Sequence, residues 1–160
     1  MSQTVKIPAV RNYLAEHVAS VFDTMVAMKA DPLATRDLPP FGERVSGSVG
    51  FGGAAVTGAV YLHLSAKFAT CVTGAMLGLA PGEATSEADV NDVVGEASNM
   101  LTGGLKSWLC DSGLDCAVST PAIIRGTAFS IEPMPDVTRE WLVFDCAGEQ
   151  FVVEFHIKFN

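Results

Sequence analysis

The chain contains no glycine-rich phosphate loop, no dinucleotide-binding glycine fingerprint, and no H-E-x-x-H, G-x-S-x-G or EF-hand pattern. A self-contained nucleotide-dependent or nucleophilic enzyme is therefore unsupported. Cysteine is scarce: Cys71, Cys110, Cys116 and Cys146 form no C-x-x-C pair and have no histidine at zinc-site spacing. They read as small buried hydrophobes in a reducing compartment. Basic residues are also few, 10 Lys and Arg against 18 Asp and Glu, for a formal net charge of −8. That balance repels phosphate backbones and anionic lipid, which argues against nucleic acid and membrane surfaces as partners. No apolar run has the length of a membrane span: the start, MSQTVKIPAVRNYLAEHV, lacks a signal-peptide core, and the most apolar stretches, Gly53 to Leu64 and Cys71 to Ala80, are interrupted by Gly, Thr or His. A soluble, cytoplasmic protein is expected. His17, His63 and His156 fall in different predicted elements, so nothing motivates a metal site built from them.

What is present is a globular composition, 49% apolar and 18% charged over 160 residues, enough for one domain spanning 1–160 with its own core. The strongest signal lies between Ser86 and Gly113. Val90, Val93, Val94, Ala97, Met100, Leu101, Leu105 and Trp108 recur at helical spacing and predict an amphipathic helix. Ser86 and Asp89 resemble a capping box, and Gly113 is placed to end the helix. A first helix is predicted from Ile7 to about Met28, and a shorter one over Lys67 to Leu77 before the loop Leu79 to Thr85. Arg44 to Phe51 and Ala54 to Leu64 read as a hairpin about Gly52-Gly53. Strands are also expected over Cys116 to Ile124, Thr127 to Ile131, Trp141 to Cys146 and Gln150 to Phe159, the last pair turning about Gly148-Glu149. His63 reads as a solvated strand residue. In the last strand Glu154, His156 and Lys158 are expected on a wet face. The fold class is α/β of the α+β type, a mixed, largely antiparallel sheet carrying two long helices and one shorter one.

On the polar side of the long helix lie Asp92, Glu96, Asn99, Gly103 and Lys106. Asp92 and Glu96 are an i, i+4 pair that could hold a hard cation, but acidic residues are favoured in the first turns of any helix, and two carboxylates alone bind Mg²⁺ or Ca²⁺ weakly. On residues alone, Glu96 and Asn99 read as ordinary surface. An asparagine amide neither titrates nor attacks, but it can hold a water in line with an electrophile, and a neighbouring glutamate can act as a base or anchor a partner's lysine or arginine. Gly95, Gly103 and Gly104 are anomalous, because each costs about 1 kcal/mol relative to alanine inside a helix. Gly95 and Gly103 would leave a bare surface for another backbone to approach, and Gly104 would permit tight packing against the core.

The order of helix, glycine-rich hairpin VSGSVGFGGAAVTGAVYLHLS, short helix with MLG, DVNDVVGEASNMLTGGLKSWL and STPAIIRG resembles the CheX branch of the CheC, CheX and FliY chemotaxis phosphatases. The pattern D-x-x-x-E-x-x-N-x-x-x-G falls on Asp92, Glu96, Asn99 and Gly103. The resemblance implies a phosphatase of a phosphorylated CheY-like receiver domain. Asn99 would orient the water that attacks the aspartyl phosphate, Glu96 would pair with the receiver's lysine, and Asp92, Gly95 and Gly103 would form the docking surface. It implies no cofactor in this chain, with the phosphoaspartate and Mg²⁺ belonging to the receiver. It also implies a homodimer formed through exchanged or continuous strands. The first helix has Ala19, not Asn, three residues after Glu16, so one site per chain is expected. The rival readings are a noncatalytic dimeric adaptor that holds a receiver or flagellar-switch protein, and a metal-dependent hydrolase using Asp92 and Glu96.

Overall fold

The computed structural model describes residues 5–80 and 83–160. Three helices, α1 (Ile7–Val26), α2 (Ala66–Leu77) and α3 (Glu87–Asp111), combine with strands β1 (Ala30–Pro32), β2 (Glu43–Gly52), β3 (Val56–Ser65), β4 (Ala117–Val118), β5 (Ala122–Thr127), β6 (Thr138–Cys146) and β7 (Glu149–Phe159). The strands form one sheet in the order β1-β6-β7-β3-β2, with β4 and β5 both on the outer edge of β2. The largely antiparallel sheet that was expected is present. Every described pairing runs antiparallel, so it contains no parallel component.

One face of the sheet is apolar because alternate residues point the same way. Val45, Val60, Leu62, Val153 and Phe155 are fully buried and meet Leu14 and Val18 of α1, Phe68 of α2, and Leu101 and Leu105 of α3 in a single core. α3 lies centrally, touching β2 and β3 as well as both other helices. Its ends follow the sequence closely. Ser86 Oγ accepts from the Asp89 backbone N–H at 3.0 Å, Ser112 caps the other end, and Gly113 turns the chain at φ +88°.

Two glycines fix how close α3 comes. A Cβ on Gly47 of β2 would stand 1.9 Å from Ser98 Oγ, and one on Gly104 would stand 2.0 Å from His17 Nε2, so the helix seats against sheet and α1 only where those side chains are missing. His17 Nε2 then lies 2.9 Å from the Met100 carbonyl, and Tyr13 stacks between His17 and Trp108.

The other face departs from expectation. His63 is 2% exposed, not solvated, and Glu154 and His156 are 4% and 5% exposed, not on a wet face; of the three alternating positions in β7 only Lys158 is exposed. The reason is mutual satisfaction. His63 Nε2 donates to Glu154 Oε1 at 2.9 Å, and His156 Nε2 and Arg139 Nε donate to Oε2 at 2.6 and 2.7 Å. With its proton on Nε2, His63 accepts the Ser46 hydroxyl at Nδ1, 2.6 Å away. Residues 33–42 cross this face. Leu33 N–H donates to the Val143 carbonyl, Trp141 Nε1 donates to the Arg36 carbonyl, and Phe41 and Phe129 both lie against the Arg44 guanidinium.

Other expectations shift by local geometry. The β2–β3 turn centres on Ala54-Ala55, since Gly53 N–H bonds the Val56 carbonyl; Gly53 is glycine because a Cβ there would meet the Asp115 carbonyl oxygen at 2.0 Å. The β6–β7 turn is Ala147-Gly148, both at positive φ. The segment Cys116 to Ile124 is broken at Ser119–Pro121 into β4 and β5. The strand expected over Thr127 to Ile131 is absent because β5 already ends at Thr127 and Ala128 takes a positive φ of 53°. β1 was not anticipated. The loop expected over Leu79 to Thr85 includes residues 81 and 82, which lie outside the described residues. Of the cysteines only Cys146 is buried; Cys110 and Cys116 are half-buried and Cys71 is exposed, all as free thiols. Burial pushes the Cys116 and Cys146 thiols up, away from thiolate chemistry. Among the described residues no helix is long and apolar enough to cross a membrane.

Gly104→Ala should destabilise by about 1–3 kcal/mol despite better helix propensity, because His17 must move, whereas Gly103→Ala, with nothing within 4 Å of its new methyl, should stabilise by about 0.5–1 kcal/mol. Urea unfolding of both variants checks the contrast. Burial alone would raise the Glu154 pKa, but hydrogen bonds from His156, His63 and Arg139 outweigh it and hold the carboxyl far below the usual range, while burial lowers His63. Both groups therefore bind protons more readily when unfolded. Stability should be full near pH 7, fall below about pH 6.5 as unfolded His63 protonates, and fall further below about pH 4.3 as unfolded Glu154 does. Glu154→Gln should cost about 3 kcal/mol at pH 7 by leaving Arg139 without its charge partner, and a flat wild-type profile from pH 7 to 5 in the same titration would contradict the assignment.

Candidate functional site

α3 turns its remaining exposed ridge toward β5. Asn91, Gly95 and Asn99 follow one another at i, i+4 and i+8, and Asp92 and Glu96 form the adjacent row. Pro121 and Ile123 face them across a shallow hollow of about 430 Å³ lined by these seven residues. The hollow thus has an amide and glycine floor, a carboxylate rim and an apolar wall.

The wall is held from both ends. Ser119 is hydrogen-bonded twice to Gly50 of β2, its N–H to the carbonyl at 2.8 Å and its Oγ from the N–H at 2.9 Å, which sets the approach to Pro121. Further along, Ile123 and Arg125 share the helix-facing side of β5, and Arg125 Nη2 donates to Asn91 Oδ1 at 2.6 Å. Arg125 Nε is 3.7 Å from Glu87 Oε1.

The structure brings four of the five sequence-predicted residues together. Glu96 and Asp92 are exposed on the rim and Asn99 is half-buried on the floor, without a side-chain partner among the described residues. Gly95 is also in the hollow but is buried. The expectation that it leaves bare surface is corrected, because Pro121 of the same chain covers it, and a Cβ there would lie 3.7 Å from the proline ring. Gly103 lies one turn beyond Asn99, outside the hollow, half-buried and facing open space. The residues not singled out beforehand are Asn91, Pro121 and Ile123. Pro121 and Ile123 lie in the STPAIIRG segment, where proline ahead of Ala-Ile-Ile-Arg signals an edge strand but not the helix that it faces.

Chemically, the site combines an amide that can order a water, a carboxylate free to pair with a cation, and an open approach. Among the described residues no three His, Cys, Asp or Glu side chains cluster as metal ligands, so Asp92 and Glu96 gain no third member.

A family model described as chemotaxis phosphatase CheX matches residues 45–145, which include all of α3 and β5. The chain belongs to the CheX family. Among solved structures, chemotaxis protein CheX from Vibrio vulnificus is 25% identical over 97% of this chain and 100% of its own, with a TM-score of 0.79. A chemotaxis protein CheX from Desulfovibrio desulfuricans shares the fold at 24% identity, covering 93% of this chain and 99% of its own, with a TM-score of 0.78. The CheX of a CheX–CheY–BeF3–Mg²⁺ complex from Borrelia burgdorferi shares the fold at 19% identity, covering 93% and 97%, with a TM-score of 0.69. No curated protein matches the chain. The antiparallel sheet with three helices is thus the CheX fold, with the hollow on its central helix.

Proposed function

We propose that this chain hydrolyses the aspartyl phosphate of a CheY-like receiver domain, with Asn99 and Glu96 as the residues that meet the reacting centre. The observation that carries the reading is the Asn99 amide, free of protein partners among the described residues, beside a free Glu96 carboxylate on the central helix of a CheX-family chain. The CheY held by the B. burgdorferi CheX indicates the kind of partner.

In this mechanism the helix enters the receiver's phosphorylation site. The Asn99 amide hydrogen-bonds a water and holds it in line with the phosphorus, which lowers the barrier by positioning and not by proton transfer. Glu96 pairs with a lysine of the receiver and docks the helix. Asp92 adds to the docking rim, Gly95 raises no side chain on the floor, and Gly103 leaves clearance one turn on. The phosphoaspartate and Mg²⁺ belong to the receiver, so the chain supplies no nucleophile and no cofactor of its own. We place this reaction in the cytoplasm and include a homodimer in the proposal, supported by β5, whose outer edge has no strand partner among the described residues and could be extended by a second copy.

The test is the lifetime of a receiver's aspartyl phosphate with and without the protein. The wild type should shorten it, and Asn99→Ala should reduce the acceleration at saturation by about 100-fold or more while preserving binding. Glu96→Ala should mainly weaken the complex. Binding by the wild type with no change in phosphate lifetime would favour the adaptor instead. Light scattering tests the dimer, and a monomer at working concentration would remove it.

A further inference from the structure

Among the described residues, Asn91 is the one member of the hollow whose side-chain polarity is fixed by a neighbour. Arg125 Nη2 donates to its Oδ1 at 2.6 Å. A guanidinium has donors and no acceptor, so the amide must turn its oxygen toward Arg125, and flipping it would set two donors face to face. The Nδ2 arm is consequently directed away from Arg125, and among the described residues it has no hydrogen-bond partner while Asn91 lines the hollow. The floor therefore carries two amides on one stripe of α3, Asn99 and, roughly 12 Å back toward the helix N-terminus at 1.5 Å per residue, Asn91. Gly95, between them, raises no side chain.

We propose that Asn91, oriented by Arg125, is a docking donor that bonds an acceptor group on a surface loop of the receiver, two helical turns from the reaction centre. The inference rests on the receiver-phosphatase reading and deepens it. Arg125 acts through Asn91 as a positioning residue. The partner's matching group is an acceptor, a backbone carbonyl or a side-chain oxygen, placed so that one straight helix reaches it and the phosphorylation site together. This second contact lies beyond the reacting atoms, so it contributes to which receiver docks and not to the rate once docked.

The experiment uses the full chain and a CheY receiver of the same organism activated with beryllofluoride and Mg²⁺, with affinity read by titration and turnover by phosphate release from the phosphorylated receiver. Asn91→Asp replaces the free donor by an acceptor while keeping the bond to Arg125, so it should fold with unchanged or higher thermal stability. It should bind about tenfold more weakly, with turnover at saturation unchanged. Asn91→Leu, similar in size and uncharged, should lose affinity to a similar degree. Wild-type affinity in both variants overturns the inference and leaves the phosphatase reading intact. Loss in Asn91→Asp alone assigns the effect to added charge and also overturns it. A fall in turnover equal to that of Asn99→Ala makes Asn91 catalytic and overturns the docking role. A wild type that neither binds nor dephosphorylates the receiver overturns both readings together.

Discussion

The seating of α3 is the constraint on which the rest depends. In the proposed reaction neither Asn99 nor Glu96 would perform chemistry unaided; their usefulness there would lie in being held rigidly at one orientation. The helix is gripped on one side by β2, where Ser98 occupies the space above Gly47, and on another by α1, where His17 occupies the space beside Gly104. Ser98 and Thr102, buried on this inner side, return their hydroxyls to the Val94 and Ser98 carbonyls, so neither hydroxyl is left unsatisfied. The three interior glycines each cost helix propensity, and only Gly104 is required by the chain's own packing, through His17; a Cβ at Gly95 would make ordinary contact with Pro121. A Cβ at Gly103 would meet nothing within 4 Å, which suits the clearance proposed for it.

Rigidity of β2 in turn depends on the opposite face of the sheet. There the chain buries a glutamate and two histidines in contact with one another and with the half-buried Arg139, an arrangement whose attraction must offset loss of hydration. It succeeds because both Glu154 oxygens are occupied by donors and His63 passes its second nitrogen to Ser46. Ser46 precedes Gly47 on the same strand, so the residue that anchors the polar cluster is adjacent to the residue that admits α3. The Phe41–Arg44–Phe129 stack closes the cluster from above and explains why a surface that alternates polar residues is nevertheless dry.

Much of the helical layer was legible in the sequence. Periodicity, Ser86 and Gly113 specified α3 to within a residue or two, because local capping and one apolar stripe determine a helix. The sheet was less legible. His63 in β3, and Glu154 and His156 in β7, alternate with apolar residues as a solvated face would. Their burial depends on each other and on a segment, residues 33–42, that is distant from all three along the chain and more than a hundred residues from β7's Glu154 and His156, which no window along the chain contains. Gly52-Gly53 resembled a turn for the wrong reason, since Gly53 is required by the approach of Asp115. At the site, Glu96 and Asn99 were legible only through the family pattern. The wall of Pro121 and Ile123 needed the β2–β5 pairing to become visible at all.

The shape of the hollow also argues for a division of labour. It is open and shallow, and its rim consists of Asp92 and Glu96 with no opposing ion pair among the described residues. Such a rim repels a free phosphate ester, so a small phosphorylated molecule would gain little by approaching alone. A phosphoryl group held within a protein that surrounds it with its own cations is different: the carboxylates then face positive charge, and the rim that excludes a free anion becomes the attractive surface. In the proposed reaction, selectivity for a folded partner over a diffusible phosphate would follow from this charge placement, and Asn99, being neutral, would come close to the phosphoryl group from the same acidic surface without adding to that repulsion.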